Sequence, residues 1–122
     1  MRNDKPAILI VDDDPAVRDS LQFSLELEGL AVHTCEDGKA LLDYPALRQA
    51  KCIVLDYKMP GMDGFTVLGE LRKRGIDVPV ILITGPVTPR IREMAEQAGI
   101  HLLLEKPLLD TTLVDHIRKI IA

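Results

Sequence analysis

Four short aliphatic runs, each followed directly by polar residues, form the main pattern along this chain. The runs occupy residues 7–11, 53–55, 80–83 and 102–104. Continuous apolar runs of this length are typical of strands that are buried on both faces of a parallel sheet. Ligands of such sheets bind beyond the carboxyl ends of the strands. If these strands are neighbours, the polar residues at their ends share one crevice: Asp12, Asp13, Asp56, Thr84 and Lys106.

Capping residues mark helices between the strand-like runs. Asp14 and Pro15 predict the start of a first helix, and Gly29 predicts its end. Further helices are predicted over residues 38–44, from Asp63 to about residue 74, from Thr88 to Gly99, and from about Asp110, with Leu113, Ile117, Ile120 and Ile121 on the buried face. This alternation predicts an α/β fold, a parallel sheet with helices on both faces.

The predicted first helix carries a wide apolar arc. Val17, Leu21 and Leu25 form one stripe. The arc also includes Phe23, Leu27 and Leu30, so it is wider than the about 100° that is usual for a surface helix. Two interpretations stay open, namely extensive burial between the sheet and neighbouring helices, and a surface on which a partner docks.

Composition and charge limit the classes of function. We expect one domain spanning residues 1–122, because the chain has a length and composition ordinary for a single globular domain. A net charge of -4 disfavours a nucleic-acid surface. This charge is instead expected to go with protein partners or with small anions that are held locally. No apolar run approaches the roughly 18 residues of a membrane span, and the start lacks a signal region, so a cytoplasmic protein is expected. Cys35 and Cys52 have no metal-binding spacing and are predicted to be buried, reduced thiols.

The acidic residues at the strand ends predict a cation site. Asp12 and Asp13 follow one strand, and Asp56 ends another. At an effective dielectric constant near 20, two carboxylates about 4 Å apart repel each other by roughly 4 kcal/mol. Mg²⁺ would remove that repulsion, because it takes one or two carboxylates together with water and phosphate oxygens. Asp14, which precedes Pro15, is interpreted only as a helix cap.

Asp56 is the candidate nucleophile. A carboxylate can accept a phosphoryl group and form an acyl phosphate. This chemistry requires cations and hydrogen-bond donors around the phosphoryl oxygens, which Mg²⁺, Lys106 and the Thr84 hydroxyl could supply.

At these motifs the chain resembles the receiver domains of bacterial two-component response regulators. The resemblance covers nearly the whole chain. It implies a chemotaxis-regulator-like, doubly wound fold, with a five-stranded parallel sheet in the flavodoxin-like order 2-1-3-4-5 and five helices on both faces. The motifs that carry it are residues 11–13, 55–56, 59–64, 83–85, 98–99 and 106–107.

The resemblance implies a set of metal ligands. Asp13 and Asp56 would bind Mg²⁺, or Mn²⁺, directly. Asp12 would bind it through water, and Lys58 through its backbone carbonyl. No separate organic cofactor is implied.

The resemblance also assigns the phosphoryl chemistry and its readout. Asp56 would be the phosphoacceptor, Thr84 the switch hydroxyl and Lys106 the lysine that pairs with the phosphoryl group. The bond between Lys106 and Pro107 would be cis, as is usual in the family. The chain would catalyse only its own phosphorylation and autodephosphorylation, and so would be a signalling phosphoacceptor and not an enzyme in the ordinary sense.

One departure from the family pattern lies on the predicted output surface. Leu103 occupies a position that is commonly Tyr or Phe, so the coupling between Asp56 and the outer face of the last strand is expected to be altered. His101, Leu103 and Glu105 alternate and would point to one side of that strand. Together with Pro107 they form the predicted switch and output group, while the first helix is the predicted place for kinase docking.

The sequence is therefore interpreted as a stand-alone receiver that takes a phosphoryl group from a sensor histidine kinase. A histidine phosphotransfer protein or another protein is expected as the further partner, with dimer formation on phosphorylation as an additional outcome. Two alternatives stay open. One is an interaction module that keeps the fold without the phosphorylation, and the other is a receiver excised from a longer DNA-binding regulator.

Overall fold

Five parallel strands form the centre of the molecule in a computed structural model that describes residues 8–108 and 112–122. In chain order they are β1 (Ile8–Val11), β2 (Val32–Cys35), β3 (Cys52–Asp56), β4 (Val80–Thr84) and β5 (Leu102–Glu105). The order across the sheet is β2-β1-β3-β4-β5, and each neighbouring pair is parallel. The predicted order 2-1-3-4-5 is confirmed.

The helices lie between the strands, mostly where the capping residues predict them. Within the described ranges they are α1 (Pro15–Leu27), α2 (Gly38–Leu42), α3 (Gly64–Lys73), α4 (Pro89–Ala98) and α5 (Thr112–Ile121). The side chains of Asp14, Asp63 and Thr88 cap α1, α3 and α4 by accepting a backbone N–H. None of these helices combines the length and the apolar character needed to cross a bilayer.

The helices differ from the sequence prediction in two details, and one predicted boundary falls on residues that the structure does not describe. Helix α2 ends at Leu42, two residues before the predicted end, and a 3₁₀ turn over Leu47–Gln49 was not predicted. The 3₁₀ turn has no side-chain cap hydrogen bond, so capping residues could not indicate it. The predicted start of the last helix, Asp110, lies outside the described residues, as does residue 7 of the first apolar run.

The core consists of two apolar layers, one on each face of the sheet. Side chains alternate along each central strand, so that Leu9 and Leu55 join one layer while Ile10 and Val54 join the other. Helices α2 and α3 cover the first layer, and α1 and α5 cover the second. All residues of β1, β3 and β4 are buried, which explains their continuous aliphatic sequence. The sheet therefore holds the carboxyl ends of these strands at fixed positions.

Helix α1 uses only part of its apolar arc to reach this core. Leu25 is fully buried, and Leu21 and Leu30 pack against the same layer. Phe23 is 66% exposed and Leu27 is 70% exposed. The burial interpretation is wrong for these two side chains, because α1 packs along one face and the arc extends past it. The docking interpretation stays a prediction.

Both cysteines are free and buried, as predicted. Burial raises the pKa of the Cys35 thiol to about 11, and the nearby Asp37 carboxylate adds to the effect. Burial alone raises the pKa of Cys52 to about 12. The thiolate form, which is the nucleophile, is therefore scarce at neutral pH.

We predict that both thiols resist alkylation in the folded chain. At pH 8 the thiolate fraction of Cys35 is about a hundredfold lower than that of an unperturbed thiol, and steric burial slows the reaction further. Incubation with iodoacetamide followed by mass spectrometry checks this. The same incubation in denaturant should modify both cysteines, and rapid modification of the native chain would contradict the buried placement.

We predict that Gly64→Ala destabilises the chain. A Cβ at Gly64 would lie 2.6 Å from Leu82 Cδ1 and 3.1 Å from the Asp56 carbonyl oxygen. Helix α3 therefore begins directly against the end of β3, and the added methyl forces a backbone shift. We expect a loss of about 1–3 kcal/mol in the free energy of unfolding, measured by urea denaturation.

The matched control is Gly69→Ala, in the same helix. A Cβ at Gly69 meets nothing within 4 Å, so the substitution should stabilise α3 by up to about 1 kcal/mol through helix propensity. Equal effects of the two substitutions would show that the close approach at Gly64 is unimportant.

Candidate functional site

The predicted site residues lie at or just beyond the carboxyl ends of four neighbouring strands. Asp12 follows β1, Asp56 ends β3, Thr84 ends β4 and Lys106 follows β5. The strand register places Val11 beside Leu55 and Thr84 beside Glu105, so the four strand ends are nearly level. This common edge brings side chains from distant parts of the sequence together.

Three carboxylates form a compact cluster at this edge. Asp12, Asp13 and Asp56 each offer an oxygen, and these oxygens lie within 4.8 Å of one another. Asp12 and Asp56 are each only 5% exposed, while Asp13 is exposed. Hard divalent cations prefer such oxygen ligands. The cluster therefore has the donor type and the spacing of a cation site.

Lys106 provides the positive charge that the structure places beside Asp56. Its Nζ lies 3.0 Å from Asp56 Oδ1, which is ion-pair distance. Asp56 Oδ1 is buried, and its contact among the described residues is this ion pair with the ammonium group, which opposes the rise in the pKa of Asp56 that burial causes. A carboxylate oxygen can accept more than one contact, so the ion pair with Lys106 leaves acceptor capacity for a ligand. The residues present therefore fit a bound cation or a phosphoryl group.

The charges in the site shift the pKa values of both partners upward. Burial raises the pKa of Asp56 and the carboxylates of Asp12 and Asp13 add to this, while Lys106 opposes it. Burial by itself would lower the pKa of Lys106, but the neighbouring carboxylates outweigh it and raise that pKa. Lys106 thus stays cationic, and its single charge does not fully offset the burial and crowding of Asp56. A further cation would favour the ionised form of Asp56.

Thr84 and Lys106 are linked through the backbone. Thr84 is buried, and its carbonyl accepts a hydrogen bond of 2.7 Å from the Lys106 N–H. The bond between Lys106 and Pro107 is cis, which confirms the expectation from the family. The end of β4 and the residues after β5 are therefore joined beside Asp56.

The loop after β3 carries Lys58, the predicted backbone ligand. The Tyr57 N–H donates to the Ile83 carbonyl at 2.7 Å, and the Gly64 N–H donates to the Tyr57 carbonyl at 2.8 Å. These bonds hold the start of the loop against β4 and α3. The Lys58 side chain is exposed, and the metal-binding role of its carbonyl stays a prediction.

The turn between β1 and α1 contains a residue that the sequence analysis missed. Arg18 Nη1 donates a hydrogen bond of 2.7 Å to the carbonyl of Asp12, one of the clustered acidic residues. The sequence shows only that an arginine follows the acidic pair Asp12 and Asp13 by five residues. That spacing is too common to indicate a contact. Only the structure shows that the Arg18 side chain extends back from α1 to the turn that precedes the helix.

The predicted output residues occupy different environments. Leu103 packs against the core layer formed by α2 and α3, and it lines a surface cavity of about 260 Å³ with Arg92, Ala95 and other residues of α4 and β5. Glu105 Oε1 accepts a hydrogen bond from the Val87 N–H at 3.3 Å. His101 is exposed and lies just before β5, so the predicted alternation within the strand includes only Leu103 and Glu105.

The chain is similar to known regulators over most of its length. The family of response regulator receiver domains matches residues 8–118. The transcriptional regulatory protein FixJ of Azorhizobium caulinodans is 39% identical over 109 residues, which are 89% of this chain and 52% of FixJ. The C4-dicarboxylate transport transcriptional regulatory protein DctD of Pseudomonas aeruginosa is 37% identical over 117 residues, which are 92% of this chain and 24% of DctD. The chain thus spans about half or less of the length of these relatives.

A solved structure agrees with the same assignment. The chemotaxis protein CheY4 of Vibrio cholerae superposes with a TM-score of 0.85 at 25% sequence identity, covering 93% of this chain and 96% of CheY4. Fold, strand-end residues and family match point to one conclusion: the chain belongs to the response regulator receiver domains of two-component signalling.

Proposed function

We propose that the chain accepts a phosphoryl group on Asp56, from a phosphohistidine of a sensor histidine kinase, in a Mg²⁺-dependent reaction that switches its protein contacts. The observation that carries this proposal is the placement of Asp56. Its carboxylate is buried at the end of β3, lies 3.0 Å from Lys106 Nζ and belongs to a cluster of three carboxylates within 4.8 Å.

The proposed reaction moves one phosphoryl group between two side chains. An oxygen of Asp56 attacks phosphorus, the P–N bond to the donor imidazole breaks, and an acyl phosphate forms on Asp56. The released imidazole nitrogen takes a proton from solvent. Lys106 pairs with a phosphoryl oxygen and the Thr84 hydroxyl donates to another, so both stabilise charge that develops during transfer.

The cation would be held by the acidic cluster. Asp13, Asp56 and the Lys58 carbonyl are proposed as direct ligands, and Asp12 as a ligand through water. When bound, Mg²⁺ or Mn²⁺ would neutralise the clustered carboxylates and the transferring phosphoryl oxygens. The chain itself would promote only its own phosphorylation and dephosphorylation.

Contacts at the ends of β4 and β5 support a route from Asp56 to the surface. Phosphorylation would draw Lys106 and Thr84 toward the phosphoryl oxygens. The Lys106 N–H donates a hydrogen bond to the Thr84 carbonyl. The side chain of the neighbouring Glu105 accepts a hydrogen bond from the Val87 N–H, just before α4. The surface of α4, β5 and α5 is therefore the proposed output face, for a phosphotransfer protein, another protein target or a second copy of the chain.

A second candidate is that this receiver controls a DNA-binding effector within a longer regulator. FixJ and DctD, both transcriptional regulatory proteins, favour it, since the chain matches 52% and 24% of their lengths. The two candidates share the chemistry at Asp56 and differ in what the output face contacts.

We predict that Asp56→Asn abolishes phosphorylation without unfolding the chain. The amide is no nucleophile, and removal of a charge from the acidic cluster should raise the melting temperature in metal-free buffer. The test is mass spectrometry after incubation with acetyl phosphate and Mg²⁺. Asp43→Asn is the control, because Asp43 is an exposed carboxylate outside the site that pairs with Lys39. A phosphoryl adduct on Asp56→Asn would place the acceptor at another residue.

We also predict that Leu103→Tyr strengthens the response of the output face to site occupancy. The cavity beside Leu103 offers space for a ring. We expect that ring to move with Thr84, which ends the neighbouring strand β4. Amide chemical shifts of α4 and β5, measured with and without beryllofluoride, should change more in Leu103→Tyr than in the parent. Leu103→Met, which adds no ring, serves as the control, and equal responses in all three chains would show that the ring is unimportant.

A further inference from the structure

Arg18 contacts the backbone of the acidic turn directly. It is the fourth residue of α1 and is partly buried, and its Nη1 donates a 2.7 Å hydrogen bond to the Asp12 carbonyl. Hydrogen bonds from a charged donor are shorter and stronger than those between neutral groups. Arg18 offers no ligand atom for a cation and does not touch Asp56 in the structure, so the proposed reaction gives it no role.

The Asp12 carbonyl is one of two hydrogen-bonded backbone groups that flank Asp13. Two other contacts hold the turn. The Asp12 N–H donates to the Cys35 carbonyl at 3.2 Å, and the Asp14 N–H, in the peptide unit after Asp13, donates to Asp12 Oδ1 at 2.9 Å. The carbonyl belongs to the planar peptide unit that joins Asp12 to Asp13. Asp13 is exposed. Its position beside Asp56 therefore depends on the two peptide units that flank it, one held by Arg18 and the other by Asp12 Oδ1.

The charge of Arg18 acts in the opposite direction. Arg18 shares a surface hollow with the acidic residues Asp13, Glu36 and Asp37. A positive charge at this place repels an incoming cation, so charge alone predicts that removal of Arg18 strengthens Mg²⁺ binding. Loss of the bond to Asp12 predicts the reverse, because the turn that carries two of the proposed ligands becomes less ordered. The sign of the change in affinity thus separates the two effects.

We propose that Arg18 is a positioning residue for the cation site, in which its guanidinium holds the peptide between Asp12 and Asp13 so that both carboxylates face Asp56. The proposal rests on the proposed Mg²⁺-dependent function. The direct bond outweighs the repulsion because the hollow is open to solvent, where charge interactions are screened. Residues that orient metal ligands commonly affect metal affinity strongly without touching the metal.

The test is a calorimetric titration of the metal-free chain with MgCl₂. Arg18→Met should raise the dissociation constant for Mg²⁺ by roughly tenfold or more. Arg48→Met is the matched control, because Arg48 Nη2 also donates to a backbone carbonyl, that of Arg74, at 2.8 Å, and precedes β3 at the end of the strand opposite Asp56. Arg48→Met removes the same charge and the same kind of hydrogen bond as Arg18→Met. Its Mg²⁺ affinity should equal that of the parent chain.

A second readout separates positioning from general damage. With acetyl phosphate as donor, Arg18→Met should need more Mg²⁺ for half the maximal rate of phosphorylation, while the rate at saturating Mg²⁺ stays close to that of the parent. Mg²⁺ affinity equal to or tighter than that of the parent would overturn the proposal. So would a fall in the saturating rate with an unchanged Mg²⁺ requirement.

Two further outcomes are distinguishable. If Arg18→Met does not fold, as judged by thermal unfolding, Arg18→Lys keeps the charge but loses the planar donor group. Weaker Mg²⁺ binding by Arg18→Lys then supports positioning, and unchanged binding overturns it. If the parent chain itself binds no Mg²⁺, the metal-dependent function fails together with this proposal. If the parent binds Mg²⁺ and Arg18→Met binds it with the same dissociation constant, only the role of Arg18 is refuted.

Discussion

Mutual repulsion among three clustered carboxylates is the constraint on which the site depends. Asp12, Asp13 and Asp56 hold oxygens within 4.8 Å of one another at the end of a fully buried part of the sheet. Two of the three are removed from solvent, so water screens their repulsion weakly. Lys106 offsets only part of this charge, as the raised pKa of Asp56 indicates. The stability of the rest of the fold keeps the three carboxylates together. A ligand that neutralises them relieves their repulsion, and this relief adds to the free energy with which the ligand binds.

The arrangement of the strands explains how the fold sustains that cluster. The central strands β1, β3 and β4 are buried on both faces, with helices packed against each apolar layer. Their ends cannot move apart without exposing this core. The close approach of Gly64 to the Asp56 carbonyl fixes the loop after β3, and Arg18 binds the turn after β1. The acidic residues are thus held from the sheet side and from the helix side.

Much of this structure could be predicted from local sequence signals. The remainder depends on how helices pack in three dimensions and on the direction in which individual side chains point. Continuous aliphatic runs identified β1, β3 and β4 as buried strands. The same prediction is wrong for the fourth run, because β5 lies at the edge of the sheet and is only partly buried. Asp14, Asp63 and Thr88 identified helix starts because capping is a local hydrogen bond. The exposure of Phe23 and Leu27 could not be predicted, since hydrophobic spacing describes a helix face but not the width of what packs against it. The bond from Arg18 to Asp12 depends on side-chain direction, which the sequence pattern does not contain.

The backbone bond between Lys106 and Thr84 has a thermodynamic consequence. Lys106 contacts Asp56 through its side chain and β4 through its N–H, so one residue belongs both to the ligand site and to the edge beside α4. Any protein that binds this edge and prefers one placement of Lys106 must change the affinity of Asp56 for its ligands. Linkage requires the reverse change to be equal, since the two binding free energies share one coupling term. Binding of a target at this edge would therefore be felt at the proposed phosphoryl site, and phosphorylation there would be felt at the edge.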